Sequence, residues 1–218
     1  MIENTFENES LTQVLRSNGS TYTLKTNQHR FLFPDEYGKF EDKLKPKQKF
    51  AVRFLINTGA RIMEAQHVRV EDIDLDRKRI ILRVTKSKAK KGEIKGRGRP
   101  RIIPISSQFA KYLKAYILDK KLQPTDYLKI LSNSALNDAY KRAGELAGIK
   151  DFWNISSHTF RKTLEVWLMA LGVDGLPLTA HIGHDLKTAA QYYVSPDIFS
   201  WDDKKKMRMI IGDLYERH

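Results

Sequence analysis

Residues 77–105 read RKRIILRVTKSKAKKGEIKGRGRPRIIPI, and this stretch decides the fold class. It opens on an apolar run, Ile80, Ile81, Leu82 and Val84, and closes on another, Ile102, Ile103 and Ile105. Both are strand-like, and the glycine-punctuated tip between them predicts an antiparallel hairpin. From Arg77 to Arg101 there are twelve Lys or Arg and a single acid, Glu93, a net of +11 against +13 for the whole chain. A cationic hairpin of this kind is an electrostatic footprint for a polyanion, most simply a nucleic-acid backbone.

Outward from the hairpin the pattern turns helical. Before it, Phe50, Phe54 and Leu55 fall at helical spacing within 47–56, Thr58-Gly59 interrupts, and a new helix runs from Arg61 to about His67. After it, Ser106 is placed to cap a helix bearing Phe109, Tyr112, Leu113, Tyr116 and Ile117, closed off before Pro124. Ser134 is the expected cap of the next, with Leu136, Ala139, Tyr140, Ala143 and Leu146 on one side and Gly148 as its stop. A third helix is expected from about His158 to Leu171, ending at Gly172. Asp185 is expected to cap a short helix reaching Tyr193, and a last helix spans Asp203 to Tyr215. Trp153, Trp167 and Trp201 are expected in the core. The fold class is therefore α+β, mostly helical, with a small antiparallel sheet that bears the basic hairpin.

Composition narrows the function classes. At 218 residues, 41% hydrophobic and 30% charged, the chain can bury a real core. No apolar run approaches the roughly 18 to 20 residues that span a bilayer, and no signal-peptide pattern opens the chain. With no cysteine there is neither a disulfide nor a thiolate metal site. The expectation is an intracellular, cytoplasmic protein, with no membrane partner. Charge is uneven: residues 1–44 hold five basic and seven acidic side chains, net −2, which leaves +15 for the rest. The first thirty or so residues are polar and weakly periodic, and read as a loosely structured arm.

Chemistry-bearing residues recur in a fixed order. Thr58-Gly59-Ala60-Arg61-Ile62-Met63-Glu64 puts an arginine at a helix start and a carboxylate three residues on, where it can orient Arg61 or a neighbouring amide. His158-Thr159-Phe160-Arg161 spaces a histidine and an arginine by three. His181-Ile182-Gly183-His184 follows, and Tyr193 lies nine residues beyond His184. His181 reads as a structural donor to nearby backbone. His29, His67 and His218 carry no pattern.

This series, TGARIMEA, the hairpin lysines, HTFR, HIGH and YYV, resembles the catalytic domain of the tyrosine recombinase (integrase) family over about residues 35–195. The resemblance implies a recombinase-like catalytic domain that cuts and rejoins specific double-stranded DNA sites through a 3′-phosphotyrosine, with no metal, ATP or small-molecule cofactor. It implies a homo-tetramer on paired sites. The implied catalytic set is Arg61, Lys86, His158, Arg161, His184 and Tyr193, with Glu64 in support. Lys88 is the alternative to Lys86 as general acid. Lys88, Lys90, Lys91, Lys95, Arg97 and Arg99 are implied DNA contacts. Nine-residue spacing selects Tyr193 over Tyr192, since a helix turns about 100° between neighbours. Two other activities share parts of the pattern: a type IB topoisomerase-like nicking and closing enzyme, and a DNA-binding recombinase derivative without catalysis.

Three departures stand out. Ile182 replaces a usual leucine, Lys162 follows Arg161 where a second histidine is common, and the hairpin is longer and more basic. The family's N-terminal helical core-binding domain, of roughly a hundred residues, has about thirty residues in its place, as in a fragment or a minimal form. The expected division is a short arm over 1–34, a catalytic domain over 35–195, and a helical tail over 196–218. That tail either docks on a neighbouring protomer or folds back on its own domain.

Overall fold

The computed structural model describes residues 13–16, 19, 21–23, 30–83, 100–173, 175–183 and 196–216. Helices dominate these segments, with two small antiparallel sheets. Strands β1 (Gln13–Leu15) and β2 (Thr21–Thr23) form one, and β3 (Ile73–Asp74), β4 (Arg79–Leu82) and β5 (Arg101–Pro104) form the other in sequence order.

The hairpin strands pair as expected, with Ile80 opposite Ile103, Ile81 opposite Ile102 and Leu82 opposite Arg101. Strand alternation sends Ile80, Leu82 and Ile103 into the core, while Ile102 is 61% exposed. Val84 and the basic tip lie outside the described residues.

Local chemistry sets the helix boundaries. Helix α1 (Pro34–Asp42) starts at a proline, and Glu36 accepts a hydrogen bond from the Phe33 amide at 3.0 Å. Helix α2 (Pro46–Thr58) also starts at a proline and stops at Gly59, whose φ of 59° is left-handed. Helix α3 (Ile62–Gln66) follows directly. Ser106 caps α4 (Ser107–Asp119) by accepting from the Phe109 amide. The next helix, α5 (Asn133–Leu146), is capped by Ser132 rather than the expected Ser134; the Ser132 hydroxyl receives the Ala135 amide at 3.3 Å. Helix α6 (Ser157–Ala170) matches its expected span, and α7 (Gly175–Ile182) is an element the sequence pattern did not reveal. The expected helix from Asp185 to Tyr193 lies outside the described residues.

The core centres on α2 packed against α6. From Thr159 to Leu168 every residue of α6 is buried, the mark of a helix enclosed on all sides. Phe54, Leu55, Ile56, Phe160, Leu164 and Trp167 are fully buried, each contributing about 1.5–3 kcal/mol. Trp167 also donates from Nε1 to the Leu32 carbonyl at 3.0 Å, and Thr163 Oγ1 receives the Leu32 amide at 3.0 Å. The segment before α1 is thereby fastened to the central helix.

One expectation changes at the N-terminal end of the chain. The N-terminal stretch is not simply a loose arm, because β1 and β2 pair and Val14 and Arg16 are buried. Arg16 lies 2.8 Å from Asp35 and 3.2 Å from Asp203, and over the ring of Phe33. The last helix, α8 (Trp201–Ile211), starts at the Ser200 cap and packs against α1 and α6. Met207, Ile211 and Leu214 are buried, and Asp213 receives both the amide and the hydroxyl of Ser107. Of the three tryptophans only Trp167 is in the core. Trp153, in a 3-10 turn over Phe152–Asn154, and Trp201, the first residue of α8, are 59% and 74% exposed.

Candidate active site

The left-handed turn at Gly59 brings α2, α3, α6 and α7 together. A methyl group at Gly59 would meet Ile182 Cδ1 at 3.0 Å and Leu164 Cδ2 at 3.1 Å, so a side chain here would have to push both aside at a left-handed φ. The Gly59 carbonyl accepts from Arg161 Nη1 at 2.6 Å. Arg161, one turn into α6 and buried, also donates from Nη2 to the Ile182 carbonyl.

Arg61 is the N-cap residue of α3 and leaves its side chain 46% exposed. Glu64, buried at the third helical position, holds it twice. Its Oε2 receives the Arg61 amide at 2.8 Å and its Oε1 receives Arg61 Nη1 at 3.0 Å. Both bonds follow from the three-residue spacing, which sets the carboxylate about one turn from Arg61. Arg61 Nη2 reaches the Gly183 carbonyl at 3.3 Å.

A third arginine joins them. Arg101, the first residue of β5, donates to Glu64 Oε2 at 2.6 Å, to the His181 carbonyl at 2.9 Å and to the Ile182 carbonyl. Three guanidinium groups therefore converge on the carbonyls that end α7 and the Gly183 turn. The last carbonyls of a helix have no intrahelical partner and carry its negative pole, which favours cations there.

Positive charge nevertheless exceeds what these partners offset. Burial, followed by repulsion from Arg61 and Arg101, lowers the Arg161 guanidinium to about 9, while Glu64 and Glu165 act weakly in the other direction. Arg101 is also lowered, first by burial, with Glu64 opposing and Arg61 adding to the shift. Both remain cationic at neutral pH. A half-exposed arginine beside two buried ones is suited to receive an anion with several oxygens, such as a phosphate diester.

His158 stands in the first turn of α6 and is exposed, whereas Arg161 on the same helix turns inward. His181 is buried, and its Nδ1 lies 3.2 Å from the Tyr215 hydroxyl on the C-terminal tail. Burial first, then Arg101, holds its ring down to about 3, so it is neutral. Lys86, Lys88, Lys90, Lys91, Lys95, Arg97, Arg99, His184, Tyr192 and Tyr193 lie outside the described residues.

Arg61, Glu64 and Arg161 are thus legible in the sequence, whereas Arg101 looks like one more charge in the basic run. A signal exists. Arg101, Ile103 and Ile105 share one strand face, and two apolar neighbours at that period mark it as the inward one.

The fold has known counterparts. The crystal structure of XerA recombinase superposes with a TM-score of 0.61 at 20% identity, covering 89% of this chain and 67% of the other. The Tn1549 transposon integrase in complex with transposon right end DNA gives 0.62 at 17% identity, covering 85% and 67%. In sequence, the tyrosine recombinase XerA of Saccharolobus solfataricus is 31% identical over 147 residues, 67% of this chain and 45% of the relative. A tyrosine recombinase of Pseudothermotoga lettingae is 29% identical over 185 residues, 81% of this chain and 60% of the relative. The chain therefore spans about half the length of the curated relatives it matches. The family model described as "Phage integrase family" matches residues 9–198. Because that match takes in most of the 218 residues, this protein belongs to the phage integrase family of tyrosine recombinases.

Proposed function

We propose that the protein is a site-specific DNA strand-transferase that cuts and rejoins double-stranded DNA through Tyr193. The observation that carries this reading is the convergence of Arg61 and Arg161, with Glu64 orienting the first, in a cluster that among the described residues holds more positive than negative charge. Relatives whose structures hold transposon or palindromic site DNA support DNA as the partner.

In the proposed reaction the Tyr193 oxygen attacks the scissile phosphorus and the bond from phosphorus to the 5′ oxygen breaks. The products are a 3′-phosphotyrosine and a free 5′-hydroxyl. Tyrosine has an ordinary pKa of about 10, so its proton must be removed, and His158 is the proposed base. Lys86, or Lys88 in its place, delivers a proton to the departing oxygen. Arg61 and Arg161 hold the non-bridging oxygens as negative charge builds in the transition state, and His184 adds a further donor. The phosphotyrosine conserves the bond energy, so the reverse attack by a 5′-hydroxyl reseals the strand with neither ATP nor metal. Lys88, Lys90, Lys91, Lys95, Arg97 and Arg99 bind flanking phosphates. Site pairing by a homo-tetramer would turn two such cuts into exchange.

The test is a trapping assay with a nicked suicide duplex carrying DNA that flanks the protein's own coding sequence. A covalent adduct on a denaturing gel, absent in Tyr193→Phe, supports the reading. An adduct that persists in Tyr193→Phe moves the nucleophile to Tyr192 or to another subunit. DNA binding with no adduct in the wild type overturns catalysis in favour of a binding protein. Relaxation of supercoiled plasmid without site pairing would place the activity with type IB topoisomerases.

A further inference from the structure

Arg101 occupies a costly position. A strand residue opposite Leu82 and two before Ile103 is expected to be apolar, yet here a guanidinium with 15% of its side chain exposed is carried inward. Burying a charge is tolerated only where it is paired and hydrogen-bonded. Arg101 meets that condition in two directions at once, through the Glu64 carboxylate on one side and the carbonyls of His181 and Ile182 on the other. The fit extends to Gly183, whose φ is 73°. A Cβ there would fall 2.6 Å from Arg101 Cδ, so the arginine and the glycine turn are packed against each other.

Glu64 is the shared element. Its Oε2 receives both Arg101 Nη2 and the Arg61 amide, while its Oε1 receives Arg61 Nη1. Arg101 differs from Arg61 in exposure, 15% of its side chain against 46%, and its two terminal nitrogens already meet protein oxygens.

We propose that Arg101 is a positioning residue: it locks Glu64 and the carbonyl end of α7 together, and through Glu64 sets the guanidinium of Arg61. The inference rests on the reading of Arg61 as a phosphate clamp. Since β5 is the return strand of the basic hairpin, Arg101 also ties that hairpin to the arginine cluster. A lysine cannot substitute, because a single ammonium does not span a carboxylate and two carbonyls with the planar fork of arginine.

The experiment compares the full chain with its Arg101→Lys variant, which keeps the charge and removes the fork. Two readouts are taken. In the free protein, hydrogen exchange of the Arg61 amide, which is bonded to Glu64, is expected to speed up by roughly tenfold while Phe54 and Leu55 in α2 keep their protection. On the nicked suicide duplex, the rate of adduct formation at saturating DNA is expected to fall by about 100-fold, the scale of a misplacement near 1 Å. Affinity for the duplex should stay within about threefold, since charge is retained. A merely structural role would move exchange across the whole domain and leave no split between rate and affinity.

Unchanged Arg61 exchange overturns the proposal, as does an unchanged adduct rate at saturation or a loss confined to affinity. If Arg101→Lys does not fold, Arg101→Gln carries the same two readouts without a buried unmatched ammonium. A wild type that forms no adduct while Arg101→Lys still frees the Arg61 amide would refute the strand-transfer reading and leave the positioning role standing.

Discussion

Arg101 and Arg161 donate to the same acceptor, the Ile182 carbonyl, one from the return strand of the hairpin and the other from the central helix. Two like charges meet there because the end of α7 presents unpaired carbonyls and the negative pole of the helix. The arrangement holds the guanidiniums near each other without cancelling them.

Arg161→Lys tests the clamp. It retains a cation but cannot make the two-pronged bond to Gly59 and Ile182. Adduct formation on the suicide duplex should drop by about 10²–10³, the range for removal of one transition-state donor. A rate within about a factor of three of wild type would exclude Arg161 from phosphate binding.

Gly59→Ala tests the close passage of α2 over α6. The added methyl would meet Ile182 and Leu164 at a left-handed φ. Overpacking and backbone strain together should cost about 1–3 kcal/mol, read as a lower urea midpoint at unchanged m-value.

Arg16 links β1, α1 and α8, bonded to Asp35 and to buried Asp203. Arg16→Leu would leave those carboxylates without their cation, and the expected loss is about 3–5 kcal/mol. Denaturant titration of the variant checks this. A change below about 0.5 kcal/mol would mean that the N-terminal hairpin contributes nothing to the fold.

His181 makes stability fall on the acid side. Its folded pKa of about 3 lies below the ordinary value of 6.5, with burial the main cause and Arg101 the next. Between those values the unfolded chain binds a proton that the folded chain refuses. Stability is therefore complete above about pH 6.5 and declines progressively as pH falls towards 3, at up to about 1.4 kcal/mol per pH unit. His181→Gln should flatten the dependence between about pH 6.5 and 4.5, measured as urea midpoints at each pH. An equal slope in both proteins would refute the assignment.

DNA affinity should depend steeply on salt. Replacing Lys90, Lys91 and Lys95 with alanine should make the slope of log K against log salt shallower by about 0.9 for each phosphate that these lysines neutralise. Fluorescence anisotropy over a range of NaCl concentrations gives that slope directly, and an unchanged value would remove these lysines from the interface.

Features with a local cause are legible in the unfolded chain. The hairpin pairing follows from two apolar runs around a glycine-rich tip. Ser106 caps α4 because its hydroxyl reaches an amide three residues on, and Glu64 finds Arg61 because three residues is close to one helical turn. The choice between Ser132 and Ser134 is not legible in the same way, since either serine satisfies the capping pattern, and in the fold the helix starts at Asn133 with Ser132 as its cap.

Other features depend on residues far apart in sequence. Arg16 reads as an ordinary polar residue until α8 returns with Asp203, and Trp201 reads as core until its helix start faces outward. Arg101 looks like part of a solvated basic run, although its strand parity points inward. Its role depends on Glu64 and the end of α7 arriving at the same place. The sequence alone determined the fold class, the pairing of the hairpin strands and the order of the motifs that resemble the family's, because periodicity, capping and charge act over a few residues. Tertiary structure decided which charges are buried and what they hold, because desolvation and hydrogen-bond partners exist only once distant segments have packed.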